Sequence, residues 1–151
     1  MLNFTTLCYL EQGDKYLMLF RNKREADINH GKWLGVGGHS LENESKEACL
    51  LREVCEETGL RLKTYELRAT LHFIMDEEEE LCYLFTSKEF EGTMSLCDEG
   101  ELAWVPKEEI LKLPLWEGDY LFLNRLLKDA PYFEMTLYYE NGRLKNSLVE
   151  E

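Results

Sequence analysis

The sequence predicts an α/β protein in which a mixed β-sheet is sandwiched between α-helices (α/β/α), as a single domain over residues 1–151. Three observations carry that expectation. Short apolar, β-prone runs are interspersed with helical patterns along the whole chain. Residues 45–57 repeat apolar side chains at three- and four-residue spacing, the period of an amphipathic helix. A length of 151 residues with 44% hydrophobic content is enough for one core of ordinary domain size.

The elements follow in order. Residues 3–10 and 15–21 flank Gln12-Gly13-Asp14 and read as a hairpin or as two strands joined by a tight loop. Residues 21–32 form a polar surface loop, and residues 33–38 a glycine-rich approach to the first helix. Along residues 45–57 the apolar face is Ala48, Leu51, Val54 and Cys55, and Gly59 is the C-terminal stop. Residues 66–75 and 81–87 make a second hairpin, with the acidic run 76–80 as its solvated tip. A short strand follows at 102–105. Pro106 and Glu108-Glu109 open a short helix that ends near Leu113, and residues 119–128 form a full helix with Tyr120, Leu123, Leu126 and Leu127 inward. The chain closes with a strand at 132–140, an Asn141-Gly142 turn of type I′ character, and a return strand from Arg143.

Composition excludes several classes of function. The formal charge of −13, from 30 acidic and 17 basic residues, repels an extended nucleic acid. A small phosphate ester is a different case, because bound divalent cations invert the local charge. The five cysteines (Cys8, Cys49, Cys55, Cys82, Cys97) are odd in number and lack C-x-x-C spacing, so they read as reduced packing residues. His30, His39 and His72 have no mutual ligand spacing. The N-terminal run lacks a basic region and is broken by Glu11, Gln12, Gly13 and Asp14, which reads as neither signal peptide nor membrane span. A cytoplasmic protein is expected, as a monomer or homodimer.

A second pattern lies over the first helix. At 100° per residue, Glu53, Glu56 and Glu57 fall within an arc of about 100°, with Arg52 at its border, opposite the expected apolar face. Clustered carboxylates at a helix C-terminus repel one another and face the wrong end of the dipole. Taken alone, the triplet is as consistent with a solvated acidic face as with a cation site. The surrounding spacing is more specific: Gly38, Glu44, Arg52-Glu53-Val54, Glu56-Glu57 and Gly59-Leu60 stand at the defined positions of the Nudix box.

The chain therefore resembles the Nudix hydrolases. That resemblance implies a loop-helix-loop box whose acids bind one to three Mg²⁺ or Mn²⁺ ions, with water attacking a phosphorus of a nucleoside diphosphate linked to another group. Carried over by position, the metal ligands would be Glu53 and Glu57, joined by Glu56 and the carbonyl of Gly37. Arg52 would hold the ligating glutamates and Glu44 would brace Arg52. The segment from Cys97 to Trp104 resembles the family's later acidic loop, so Glu99 becomes the candidate base and further metal ligand, with Glu101 as the alternative and a plain solvated glutamate as the bland reading.

Residues 31–39 and 113–120 resemble the MutT-type branch, which includes 8-oxo-dGTP diphosphatases. The implied substrate is a small nucleoside triphosphate, cut to a monophosphate and pyrophosphate. Trp116 would stack on the base and Asp119 meet its polar edge; alternatively Trp116 is core and Asp119 an N-cap. Arg21 and Lys23 would sit on the phosphate side unless they are ordinary surface charges, and Gly38 and His39 would approach a phosphate. Some relatives that recognise oxidised purines have asparagine where this chain has Leu34, and paired aspartates where it has Gly118-Asp119. Two other readings remain: a hydrolase of ADP-ribose or another diphosphate conjugate, and a non-catalytic nucleotide-sensing domain of the same fold.

Overall fold

The computed structural model describes residues 3–151. Its strands are β1 (Thr5–Gln12), β2 (Lys15–Phe20), β3 (Trp33–Leu34), β4 (Val36–His39), β5 (Arg61–Leu62), β6 (Glu66–Met75), β7 (Glu78–Ser87), β8 (Phe90–Glu91), β9 (Glu101–Pro106), β10 (Phe133–Glu140) and β11 (Arg143–Glu150). The helices are α1 (Lys46–Thr58), α2 (Lys107–Ile110) and α3 (Glu117–Leu127). The main sheet runs β11-β10-β6-β7-β1-β2-β3, with β4 also on β1 and β9 also on β2, while β5 and β8 form a separate ribbon. It is mixed: β1 is parallel to β7 and β6 is parallel to β10, the other pairs being antiparallel.

Side-chain alternation in the strands builds a core on each face of this sheet. Cys8 and Leu10 of β1 and Leu17 and Leu19 of β2 pack with Leu50 and Val54 of α1. Their neighbours Tyr9, Tyr16 and Met18 point the other way, into a core with Phe122, Leu123 and Leu126 of α3. The sheet thus lies between helices, as the interspersed pattern predicts. The Asn141-Gly142 turn has positive φ at both residues, 52° and 78°, as type I′ geometry requires.

Four local expectations are corrected. Residues 33–38 are mostly strand: β4 pairs antiparallel with β1, placing Gly37 opposite Leu7 and Gly38 opposite Thr6. Glycine is depleted in strands, which hides this one, yet here the close approach demands it, since a Cβ on Gly37 would run into the Thr6 carbonyl. In α1 the buried residues are Cys49, Leu50, Val54, Glu57 and Thr58, whereas Ala48, Leu51 and Cys55 are exposed. The helix is therefore rotated from the expected face, and its carboxylate arc borders the core instead of opposing it. The second hairpin turns at Asp76 and Glu77 alone, because Glu78, Glu79 and Glu80 pair with Met75, Ile74 and Phe73. Finally, α3 starts at Glu117, which places Asp119 inside its first turn, and Phe122 joins the buried face while Tyr120 and Leu127 stay half-buried.

The rotated faces make a stability test. Phe122→Ala removes a fully buried ring and should cost about 3–5 kcal/mol in urea unfolding. Leu51→Ala, at a residue 38% exposed, should change stability by no more than about 0.5 kcal/mol. Equal losses would show that α1 packs on the face containing Leu51.

Candidate active site

Three segments meet at one end of α1: the glycines of β4, the last two turns of the helix, and the loop 97–100 that leads into β9. Both ends of α1 are fixed. Ser45 Oγ accepts from Ala48 N–H at 3.1 Å, and Gly59, at φ 79°, donates its N–H to the Cys55 carbonyl at 2.8 Å. Glu53, Glu56 and Glu57 are thereby set at a fixed height against β4.

Arg52 organises most of the acids. Its Nε and Nη2 donate to the two oxygens of Glu44 at 2.8 and 2.9 Å, a bidentate pair. Nη1 donates to Glu53 at 2.8 Å and to Glu56 at 3.2 Å, and Nη2 also reaches the His39 carbonyl at 3.0 Å. The hydrogen bonds from Arg52 lower the Glu44 pKa to about 2, helped by the Leu41 N–H, and Arg52 is in turn held protonated. Gly38 is required beside this group, because a Cβ there would overlap the Glu53 carboxylate.

Glu57 stands apart from the Arg52 network. It is buried, accepts the Gly37 N–H at 2.7 Å, and shares a space with Cys97 and Glu99, their ligand atoms all lying within 4.8 Å of one another. Burial first, then the adjoining Glu99 carboxyl and the nearby charge of Glu53, push its pKa well above the usual carboxylate range. Glu99 Oε2 is buried without a hydrogen-bond partner; Arg21 Nη1, 3.5 Å away, attracts it by charge alone. An ionised pair here needs a cation. The donors are carboxylate oxygens, the hard type that Mg²⁺ and its relatives accept, so the residues fit such an ion.

Arg21 and Lys23, expected near phosphates, are both engaged by the protein. Arg21 Nε bonds Asp27 at 2.7 Å, and Lys23 Nζ bonds the Cys97 carbonyl at 2.7 Å. With Asn22 on Glu101 at 3.2 Å, they tie residues 21–23 to the acidic loop. Glu101 is exposed and His39 offers only its carbonyl to the cluster.

The model of the NUDIX domain family matches residues 1–126. The chain belongs to the Nudix hydrolase family. Members act on nucleoside diphosphate-linked compounds, small-molecule nucleotides among them, and generally use a divalent metal. An uncharacterised Nudix hydrolase of Bacillus subtilis is 29% identical over 140 residues, covering 89% of this chain and 85% of that protein. The oxidized purine nucleoside triphosphate hydrolase of Danio rerio is 30% identical over 100 residues, covering 65% and 64%. In structure the chain is similar to the MutT mutator protein of Bacillus halodurans, with TM-score 0.89 and 29% identity over 99% of this chain and 98% of that one.

In this Nudix hydrolase a second group of predicted residues lies around the start of α3. Trp116 is half-buried; its Nε1 donates to Asn29 at 2.7 Å, Tyr139 meets it edge-on, and Lys32 Nζ sits 4.8 Å from its ring centroid. Asp119 is 4% exposed, and burial pushes its pKa up to about 8, with Lys32 pulling it back. The N-cap reading of Asp119 fails, since that position belongs to Trp116. Sequence reasoning missed Lys32, Asn29 and Cys97. Cys97 had a signal, its place at the head of the acidic loop, but a lone cysteine reads as packing. Among the described residues no helix is long and apolar enough to cross a membrane.

Asp119 gives stability a pH dependence of known sign. The unfolded carboxyl loses its proton near 3.8 and the folded one near 8, so between those values the folded state binds more protons. Stability therefore falls as pH rises through that window, by up to about 1.4 kcal/mol per pH unit from this group. Glu57, also raised, adds a slope of the same sign to both proteins, so urea unfolding should show stability falling more steeply with pH in wild type than in Asp119→Asn; parallel profiles would place Asp119 ionised in the fold.

Proposed function

We propose that the protein is a Mg²⁺-dependent nucleoside triphosphate pyrophosphohydrolase of the MutT type, with Mn²⁺ able to substitute, which releases a nucleoside monophosphate and pyrophosphate. An oxidised purine nucleotide such as 8-oxo-dGTP is the substrate this reading favours, drawn from the cytoplasmic pool. It treats the chain as a single Nudix domain, since β10 and β11, beyond residue 126, extend the same sheet.

The observation that carries the reading is the course of residues 32–37. Lys32 lies over Trp116, Trp33 N–H bonds the Pro114 carbonyl at 3.0 Å, and Gly37 N–H holds Glu57. Aromatic platform and carboxylate cluster are thus joined by five residues, which span no more than about 18 Å when extended. One nucleotide reaches both: the base on Trp116 with Asp119 at its polar edge, the phosphates at the cluster. Similarity to the oxidized purine nucleoside triphosphate hydrolase of Danio rerio supports the same substrate class.

Glu53, Glu56, Glu57, Glu99 and the Gly37 carbonyl would hold the cation, which when bound neutralises phosphate charge and activates a water. The protein's own residues do the remainder. Arg52, braced by Glu44, keeps Glu53 and Glu56 in place before substrate arrives, so no reorganisation is needed at the reaction. Glu99 would take the proton of the attacking water, and Arg21, 3.5 Å from it, would limit its movement.

A panel of canonical and oxidised nucleoside triphosphates plus ADP-ribose, assayed with Mg²⁺ and with Mn²⁺, tests the substrate. Pyrophosphate with a monophosphate is the expected product pair; AMP with ribose phosphate as the main products would overturn the assignment, and tight binding without turnover would indicate a sensor. Glu53→Gln and Glu57→Gln should each lower turnover by several orders of magnitude. Glu57→Gln should also keep or raise the melting temperature without metal, because it removes a buried carboxyl. Activity near wild type in both would sink the site assignment.

A further inference from the structure

We propose that Glu57, Cys97 and Glu99 form a mixed thiolate–carboxylate site at which a soft divalent cation, of the Zn²⁺ or Cd²⁺ kind, displaces the hard catalytic cation and stops the enzyme. The proposal rests on the reading that Glu57 and Glu99 hold the hard ion. What it adds is Cys97.

The geometry is specific. The sulfur and the two carboxylates lie within 4.8 Å of one another, so shifts of about an ångström or less bring all three onto one ion with bonds of about 2.0–2.3 Å. Cys97 is 4% exposed and makes no side-chain hydrogen bond among the described residues, while Glu99 Oε2, buried and without a hydrogen-bond partner, lies in the same space. The loop is held closed by the Cys97–Gly100 bridge and by Lys23 on the Cys97 carbonyl, so the sulfur is fixed beside Glu57. Gly100 allows that closure, because a Cβ there would strike the Phe20 carbonyl.

Ligand softness then sets the outcome. Mg²⁺ takes oxygen donors and leaves a thiol alone, so Cys97 stays protonated beside the hard ion. A soft ion recruits the sulfur: the S–H bond breaks, a metal–sulfur bond forms, and the proton passes to solvent with no change of oxidation state. The soft ion gains a ligand that Mg²⁺ does not use, and it occupies the carboxylates that Mg²⁺ needs.

The test is a Cd²⁺ titration of the full chain, read by the ultraviolet thiolate-to-cadmium charge-transfer band, with and without saturating Mg²⁺. Wild type and Cys55→Ser, which lacks the exposed thiol, should show one band of equal size, and Mg²⁺ should move its midpoint to higher Cd²⁺. Cys97→Ser should lose the band and bind Cd²⁺ at least about a hundredfold more weakly, beyond the loss typical of an outer-shell partner. Cys97→Ala, with folding checked by its thermal melt, guards against a packing artefact and should behave alike. No band in wild type, a band that survives both Cys97 variants, or a midpoint indifferent to Mg²⁺ would each overturn the proposal. Failure of the underlying reading shows separately, as Glu57→Gln and Glu99→Gln enzymes that keep full Mg²⁺-dependent turnover.

Discussion

The site depends on how a surplus of carboxylates is held close together without a compensating charge on every one. Arg52 is the solution for three of them, Glu44, Glu53 and Glu56. Its guanidinium presents donors in a rigid fork, and Glu44, Glu53, Glu56 and the His39 carbonyl each take part of that fork. A lysine would supply the charge but not the geometry. Because Glu44 accepts two bonds and also the Leu41 N–H, it is anchored outside the helix, and the arginine it grips cannot swing away from Glu53. Glu57 and Glu99 are left outside this network: Glu57 is buried and accepts the Gly37 N–H, and Glu99 Oε2 has no hydrogen-bond partner among the described residues. The protein thus fixes the orientation of three carboxylates through Arg52 and leaves Glu57 and Glu99, the pair proposed to meet a cation, outside that network.

The sheet makes this arrangement possible. β1 is covered on both faces, so its register cannot slip without burying the wrong side chains. β4 takes its register from β1, and with it the positions of Gly37 and Gly38. Those two glycines are the surface on which the Glu53 and Glu57 carboxylates rest, and neither tolerates a Cβ. A chain of constraints therefore runs from the alternation of apolar residues in β1, through pairing with β4, to carboxylate positions on α1.

Much of this was legible in the sequence, for reasons that differ by element. Strong periodicity located α1 and the long strands, and the spacing from Gly38 to Leu60 located the acids. The inward face of α1 was not legible, because Glu57 is buried by a tertiary bond to Gly37 that no local pattern encodes, and because Ala48, Leu51 and Cys55 are apolar yet exposed. β4 was hidden by its glycines, which propensity counts against a strand although packing requires them. The roles first given to Arg21 and Lys23 came from chain position; their attachment to the loop 97–100 depends on β2 pairing with β9, a contact between segments some eighty residues apart.

The same cross-link explains how an acidic chain can be built to meet an anionic substrate. With a net charge of −13, long-range attraction to a polyphosphate is absent, so affinity has to arise locally. The local positive groups are spent on structure: Arg52 on the helix acids, Arg21 and Lys23 on the acidic loop, leaving Lys32 over Trp116. On the proposed reading, a substrate arriving without a cation would bring its phosphates against the carboxylates of Glu57 and Glu99. On that reading, charge balance would make the cation a condition of phosphate binding as well as of bond cleavage. The surplus of acid would then serve discrimination, admitting a phosphate that comes with a divalent ion and repelling one that comes alone.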